Sequence, residues 1–426
     1  MSRINPFKPN SPVNPGMFIG RVLELQRLED SLLQTRAGNP SNFMITGERG
    51  IGKSSLLHYV KAVAQGRMPT LDQETLQFLV IDSDIDQNTT QVGLAKKIEL
   101  GLRLELEHGE PARQFLKDLW GFLKRFEAAG VQLKAEDKME QEETLLEEFS
   151  YSLAETVKRV VTHTTAQSVF NTHYDGILIL IDEADNSGRS LHLGSFFKLL
   201  MERLQRRGCE HLMVGLAGLP RLRDVLIASH PSSLRLFDEQ PLGKLSEVEV
   251  AQVIDAGLKK AESDNKSKWR ITKEAKFSLL KLSEGYPHFI QQFGYSAFAA
   301  DVDNLIDKED VREGALGRRG ALEAIGNRYY RDDYYNKIQQ ESYRQVLRIM
   351  AKRLDDWITK DEIRSEFNGK VTTLDGAIQT LRERHLILSK EGVKGVYRLQ
   401  HKIFALWLTL ENSKDIPQDL LKFISY

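Results

Sequence analysis

Apolar positions along this 426-residue chain change rhythm near residue 245. Before that point, short continuous apolar runs alternate with stretches of helical period. Phe43 to Thr46, Leu76 to Asp82, Gly176 to Asp182 and His211 to Leu216 read as buried strands. Between them, Leu23, Leu25, Leu28, Leu32 and Leu33 mark one helix, and Phe196, Phe197, Leu199, Leu200 and Leu204 another. A further helix runs from the glycine-rich turn after Thr46 to about Ala64, and Leu234 to Phe237 opens a last core strand segment reaching Leu245. Strands alternating with helices predict an α/β fold, a parallel sheet covered on both faces.

One interval breaks the alternation. From Ser83 to about Thr172 the chain is charged and amphipathic, with Phe115, Leu119, Phe122, Leu123 and Phe126 on one face of a helix from Gln114 to Ala129. A β-like piece at Gly130 to Lys134 and a helix from about Glu142 to Val161 follow. This is longer than a simple crossover. Beyond Ser246, which opens a capping box with Glu249, the period is helical throughout. Helices run through Ala256, from Thr272 to Leu282 and from Pro287 to Ala300. Tyr329, Tyr330, Tyr334 and Tyr335 then read as a packing seam. From about Glu341 to Leu410, three helices and a hairpin (Leu386 to Leu388, Val396 to Leu399) predict a winged helix-turn-helix, closed by a short apolar helix from His401.

The predicted divisions are a proline-rich extended arm (1–16), an α/β core (17–245, insertion about 83–172), a helical segment (246–306), a helical linker (307–340), the winged helix (341–410) and a tail (411–426).

Chemistry concentrates at two strand ends. Gly47-Glu48-Arg49-Gly50-Ile51-Gly52-Lys53-Ser54, followed by Ser55, satisfies G-x-x-x-x-G-K-[ST] at a strand-to-helix turn. Glycines let successive backbone N–H groups face phosphate oxygens, and the helix adds its positive N-terminal end. Lys53 would reach the β- and γ-phosphates, and Ser54 would take one Mg²⁺ position. The run Gly176 to Ile181 ends in Asp182-Glu183, where Asp182 would hold the Mg²⁺ shell and Glu183 would polarise an attacking water.

Composition narrows the rest. Fifty-nine basic and 60 acidic side chains nearly cancel, so any contact with nucleic acid must come from a local patch. A single cysteine, Cys209, excludes an internal disulfide framework and a thiolate metal cage. No apolar run approaches bilayer-spanning length, and a cytoplasmic protein is expected.

On these motifs the chain resembles AAA+ ATPases of the branch that includes origin-recognition initiators, and the related STAND and archaeal-type ATPases. The phosphate loop, Asp182-Glu183, Gly285-Tyr286-Pro287 and the order core, helical lid, winged helix carry the resemblance. So does Phe18-Ile19-Gly20-Arg21 with Glu24 and Leu28. It implies a P-loop NTPase fold, ATP or ADP with Mg²⁺, and ATPase activity. It further implies adenine bordered by Phe18 and Ile19, with Pro287 and His288 closing from the lid. Arg235 stands where an arginine finger is often placed, with Arg221 and Arg223 weaker candidates. Two departures imply slow hydrolysis: Gly215 to Gly218 lacks the polar γ-phosphate sensor, and His288 replaces an arginine.

Two outputs are open at this point. Lys390, Lys394 and Arg398 on the wing, with Arg382 and Arg384, would touch DNA, against which stands Asp375 on the third helix. Alternatively, the winged helix and the insertion bind protein, making a nucleotide-held switch that assembles as a homo-oligomer or with an effector. The resemblance places such a switch in a bacterial mobile-element or phage-defence setting. No effector motif appears in the chain itself.

Overall fold

The computed structural model describes residues 3–15, 18–129, 135–354 and 356–413. The β-like piece expected at Gly130 to Lys134 and nearly all of the tail lie outside those residues. Two compact units are present: Pro12–Gly243, and the residues up to Ser11 together with those from Lys244 onward.

The first unit is built on five parallel strands, β1 (Asn42–Thr46), β2 (Phe78–Asp84), β3 (Gly176–Asp182), β4 (Leu212–Gly218) and β5 (Phe237–Pro241), in the order β2-β3-β4-β1-β5. Every residue of β4, and β3 up to Ile181, is buried, as continuous Ile/Leu/Val runs require when helices cover both faces. β4 runs two residues beyond the expected Leu216, because Ala217 and Gly218 still pair with Ile45 and Thr46 of β1. This order puts the ends of β1, β4 and β3 side by side, and the phosphate loop and Asp182-Glu183 leave from those ends.

The long insertion does not stand apart. Its expected helix from Gln114 is two, Glu110–Trp120 and Leu123–Ala129, divided near Gly121. Trp120, Phe149 and Leu153 are buried, and Phe149 packs both on Trp120 (centroids 5.5 Å apart) and on Phe196 of the core (5.9 Å). Trp120 Nε1 donates to Thr156 Oγ1 at 3.1 Å. The amphipathic faces that suggested a partner are therefore largely occupied within the unit. Among the described residues no helix is long and apolar enough to cross a membrane.

In the second unit, the capping box of Ser246 and Glu249 starts the helix Glu247–Asn265, and Pro287–Ala300 begins at its proline. Tyr330 and Tyr334 pack on Trp407 of the helix Lys402–Glu411, so the tyrosines form the expected seam. Glu341–Ala351, Lys360–Glu366 and Val371–Glu383 precede the antiparallel pair Ile387–Ser389 and Val396–Leu399, which Ile358–Thr359 extends to three strands. Three helices and a hairpin thus follow one another in the expected order.

The N-terminal arm is extended, as its prolines require, but it is anchored. Phe7 is buried against Gly257 and Gly294, where a Cβ at either position would come within 2.7 Å of its ring. Arg3 pairs with the buried Asp301 at 3.0 Å, and the side chain of Asn265 brackets Ile4 by accepting from its N–H (2.8 Å) and donating to its carbonyl (2.9 Å).

Candidate functional site

The loop between β1 and the helix Lys53–Ala64 turns through Gly50 (φ 79°) and Gly52 (φ 101°), a conformation that side chains with a Cβ rarely adopt. Lys53 folds back over it. Its ammonium donates to the carbonyls of Gly47 (2.8 Å) and Glu48 (3.0 Å). Burial lowers the Lys53 pKa, against the opposing pull of Asp182, Asp185 and Glu183, and Arg49 lowers it further. A half-buried cation whose hydrogen bonds go only to neutral carbonyls is ready for an anionic partner. Ser55 Oγ accepts from the Val13 N–H at 3.4 Å.

Ser54 Oγ donates to Asp182 Oδ2 at 2.6 Å, and Asp182 Oδ1 accepts from the Glu183 N–H at 2.8 Å. A hydroxyl from the β1 side and a carboxylate from β3 thus meet across the end of β4. Mg²⁺ fits this pair: it takes hard oxygen donors, and it is ordinarily held by one or two protein groups with phosphates and waters completing the shell. Among the described residues no three His, Cys, Asp or Glu gather into a metal cage.

Glu183 is exposed and left-handed (φ 53°), and its Oε2 accepts from Asn186 Nδ2 at 3.1 Å. The polar sensor missing from the end of β4 has a structural explanation. Gly218 faces Asp185, and a Cβ at Gly218 would lie 2.8 Å from Asp185 Oδ1. Buried Asp185 accepts from the Leu219 N–H (2.9 Å) and pairs with Arg221 Nε (2.8 Å), and Arg221 Nη2 donates to Asn186 Oδ1 (3.1 Å). A continuous polar path therefore joins Ser54, Asp182, Glu183, Asn186, Arg221 and Asp185. Sequence reasoning missed Asp185 and Asn186, although both directly follow Asp182-Glu183-Ala184.

Arg235 is exposed in a short turn ahead of β5, with no side-chain hydrogen bond or ion pair among the described residues. Arg223 is tied to Glu239, which also accepts from Thr46 Oγ1 at 3.0 Å. Phe18 lies beside Tyr59 (centroids 5.7 Å apart) and Ile19 is half-buried. Cys209 has its thiol pKa pushed up to about 12, chiefly by burial, which disfavours the thiolate.

In the second unit, Pro287 starts its helix and His288 Nε2 lies 2.7 Å from Arg328 Nη1. A guanidinium only donates, so Nε2 accepts and the ring proton sits on Nδ1. A positive charge therefore stands beside His288 after all, supplied from forty positions further along the chain. At the hairpin, the Arg398 guanidinium and the Lys390 ammonium lie 4.8 Å and 5.8 Å from the Trp357 ring centroid, and Lys394 is exposed. Asp375, the acid expected to oppose phosphate, is paired with Lys360.

Residues 17–214 match the AAA ATPase domain family. No curated protein matches the chain in sequence. Among solved structures, Aeropyrum pernix ORC2, in ADPNP–ADP complexes, aligns at 14% identity and TM-score 0.52 over 99% of this chain and 96% of its own. A. pernix ORC1 in complex with DNA aligns at 14% identity and TM-score 0.43, covering 94% of each chain. Thermotoga maritima RuvB, a Holliday junction branch migration motor, aligns at 13% and 0.42, covering 90% of this chain and 93% of its own. The fold is thus shared with ORC2, and residues 17–214 are similar to the AAA ATPase domain family.

Proposed function

We propose that this protein is an ATP-binding, slowly ATP-hydrolysing switch. The observation that carries it is the 2.6 Å bond between Ser54 and Asp182, beside a half-buried lysine whose hydrogen bonds go only to carbonyls. Backbone N–H groups of Gly50 to Ser54 bind the β-phosphate, and Lys53 exchanges its carbonyl partners for phosphate oxygens. Bound Mg²⁺ would supply neutralisation of phosphate charge from Ser54 and the Asp182 shell. Glu183 orients water, and the amide of Asn186 fixes its carboxylate. Phe18 and Ile19 border the base. Arg235, lacking a partner of its own, serves a neighbouring copy as the finger.

The test is Mg-dependent turnover of the full chain, with expected rates below about 1 s⁻¹. Motor-like turnover, indifferent to any partner, would overturn the slow-switch reading. Mixing Arg235→Ala with Lys53→Ala chains decides the finger. Activity above either variant alone supports action between copies, and no gain removes it.

A second reading, DNA contact through the wing, is favoured by the pairing of Asp375 with Lys360, which removes the one acid set against it. Lys390, Lys394 and Arg398 then touch phosphates. Binding to duplex DNA should weaken with salt, and Lys390→Glu with Lys394→Glu should weaken it further. If no salt-sensitive binding occurs with or without ATP, the output is a protein partner instead.

A further inference from the structure

The first unit ends at Gly243 and the second resumes at Lys244. Both sides of that join are fastened, and on the first side the fastening is to the phosphate loop. Leu242 donates its N–H to the carbonyl of Thr46 at 2.7 Å, one residue before the loop begins. The carbonyl of Gly243 accepts from Arg21 Nη2 at 2.9 Å, and the same nitrogen donates to the carbonyl of Ile51, inside the loop, at 2.7 Å. Ile51 is buried and sits against Gly47, where an added Cβ would lie 2.8 Å from its side chain. Around Gly243 itself an added Cβ would meet nothing within 4 Å, so side-chain packing does not hold it.

Arg21 suits this role. It is 5% exposed, so its charge is removed from water, and it lies 3.8 Å from Glu24. Its guanidinium is planar and rigid, so two carbonyls on one nitrogen cannot move independently without breaking a buried charge-assisted bond. On the second side, Leu245 donates its N–H to the carbonyl of Gly285 at 2.8 Å. Lys244 stands 3.7 Å from Glu284 and over the Tyr286 ring at 4.8 Å. The chain at 284–286 leads directly into Pro287 and His288.

We infer that Arg21 is a positioning residue that couples the phosphate loop to the start of the second unit. It delivers the loop's response to a bound phosphate-bearing nucleotide through Gly243 to the turn before Pro287. The inference rests on the loop being a nucleotide site. When phosphate draws the amides of Gly50 to Ser54 inward, the Ile51 carbonyl turns with its peptide. Arg21 carries that turn to Gly243, and Leu245 carries it to Gly285.

Hydrogen exchange of the full chain, read on the peptide spanning Gln240 to Ser246, tests this with and without MgADP. Without nucleotide, Arg21→Gln should exchange there about tenfold faster than the unaltered chain, with Arg21→Lys between them. MgADP should slow exchange there in the unaltered chain and do so much less in Arg21→Gln at saturation. Equal nucleotide-free exchange in all three chains would overturn the tie. Bound MgADP that leaves this peptide unprotected would overturn the coupling. If MgADP does not bind the unaltered chain, the nucleotide reading fails, and the nucleotide-free comparison still decides the tie. Arg21→Lys keeps the charge and stem, so the comparison survives if Arg21→Gln does not fold.

Discussion

Two corners of the first unit face each other across the end of β4, and they are built differently. At the phosphate-loop corner, Gly47 through Ser54 are contiguous and the backbone does most of the work. At the β4 exit, charge and hydrogen bonds come from two segments, Glu183 to Asn186 and Leu219 to Arg221, fitted around a glycine. A surface that must present several amides to one anion has to be local, because only consecutive peptides share that curl. A corner that must hold one carboxylate in place can draw its groups from anywhere the fold brings near.

The comparison assigns binding to one corner and turnover to the other, and variants can break that division. Lys53→Ala should lower nucleotide affinity about 100-fold or more, the loss of a buried charge-assisted contact, measured by titration calorimetry. Glu183→Gln should reduce hydrolysis by about 100-fold while leaving affinity within about threefold. If its hydrolysis is unchanged, Glu183 is not the base. Asn186→Ala and Arg221→Ala should each lower kcat about tenfold at constant affinity, and the double variant should do little more, because they lie on one path. A loss of affinity as large as that of Lys53→Ala would erase the distinction between the corners. The smallest effect belongs to Arg223→Ala. Its exposed pair with Glu239 should cost about 0.5 kcal/mol or less in chemical denaturation and leave turnover unchanged.

The same division explains what was readable from sequence. β1, β3, the phosphate loop and its sharing of one sheet edge with Asp182-Glu183 were legible because buried parallel strands leave continuous apolar runs and the loop carries its geometry in its glycines. Asp185 was not, since an aspartate after Asp-Glu-Ala reads as a helix start until Gly218 is seen to make room for it. Arg328 was hidden because a charge beside His288 leaves no spacing signal when it comes from another helix. The insertion's packing was hidden for a related reason. An amphipathic period shows that a face is covered, and Phe149 and Trp120 show that the cover is the protein itself.

The docking of Phe7 between Gly257 and Gly294 sets an order of assembly during synthesis. The arm leaves the ribosome long before the helices that receive it, so the Pro12–Gly243 unit can close while residues 3–11 still wait for a site. The second unit then gathers segments made before and after the first, and its helices fasten the arm when they form.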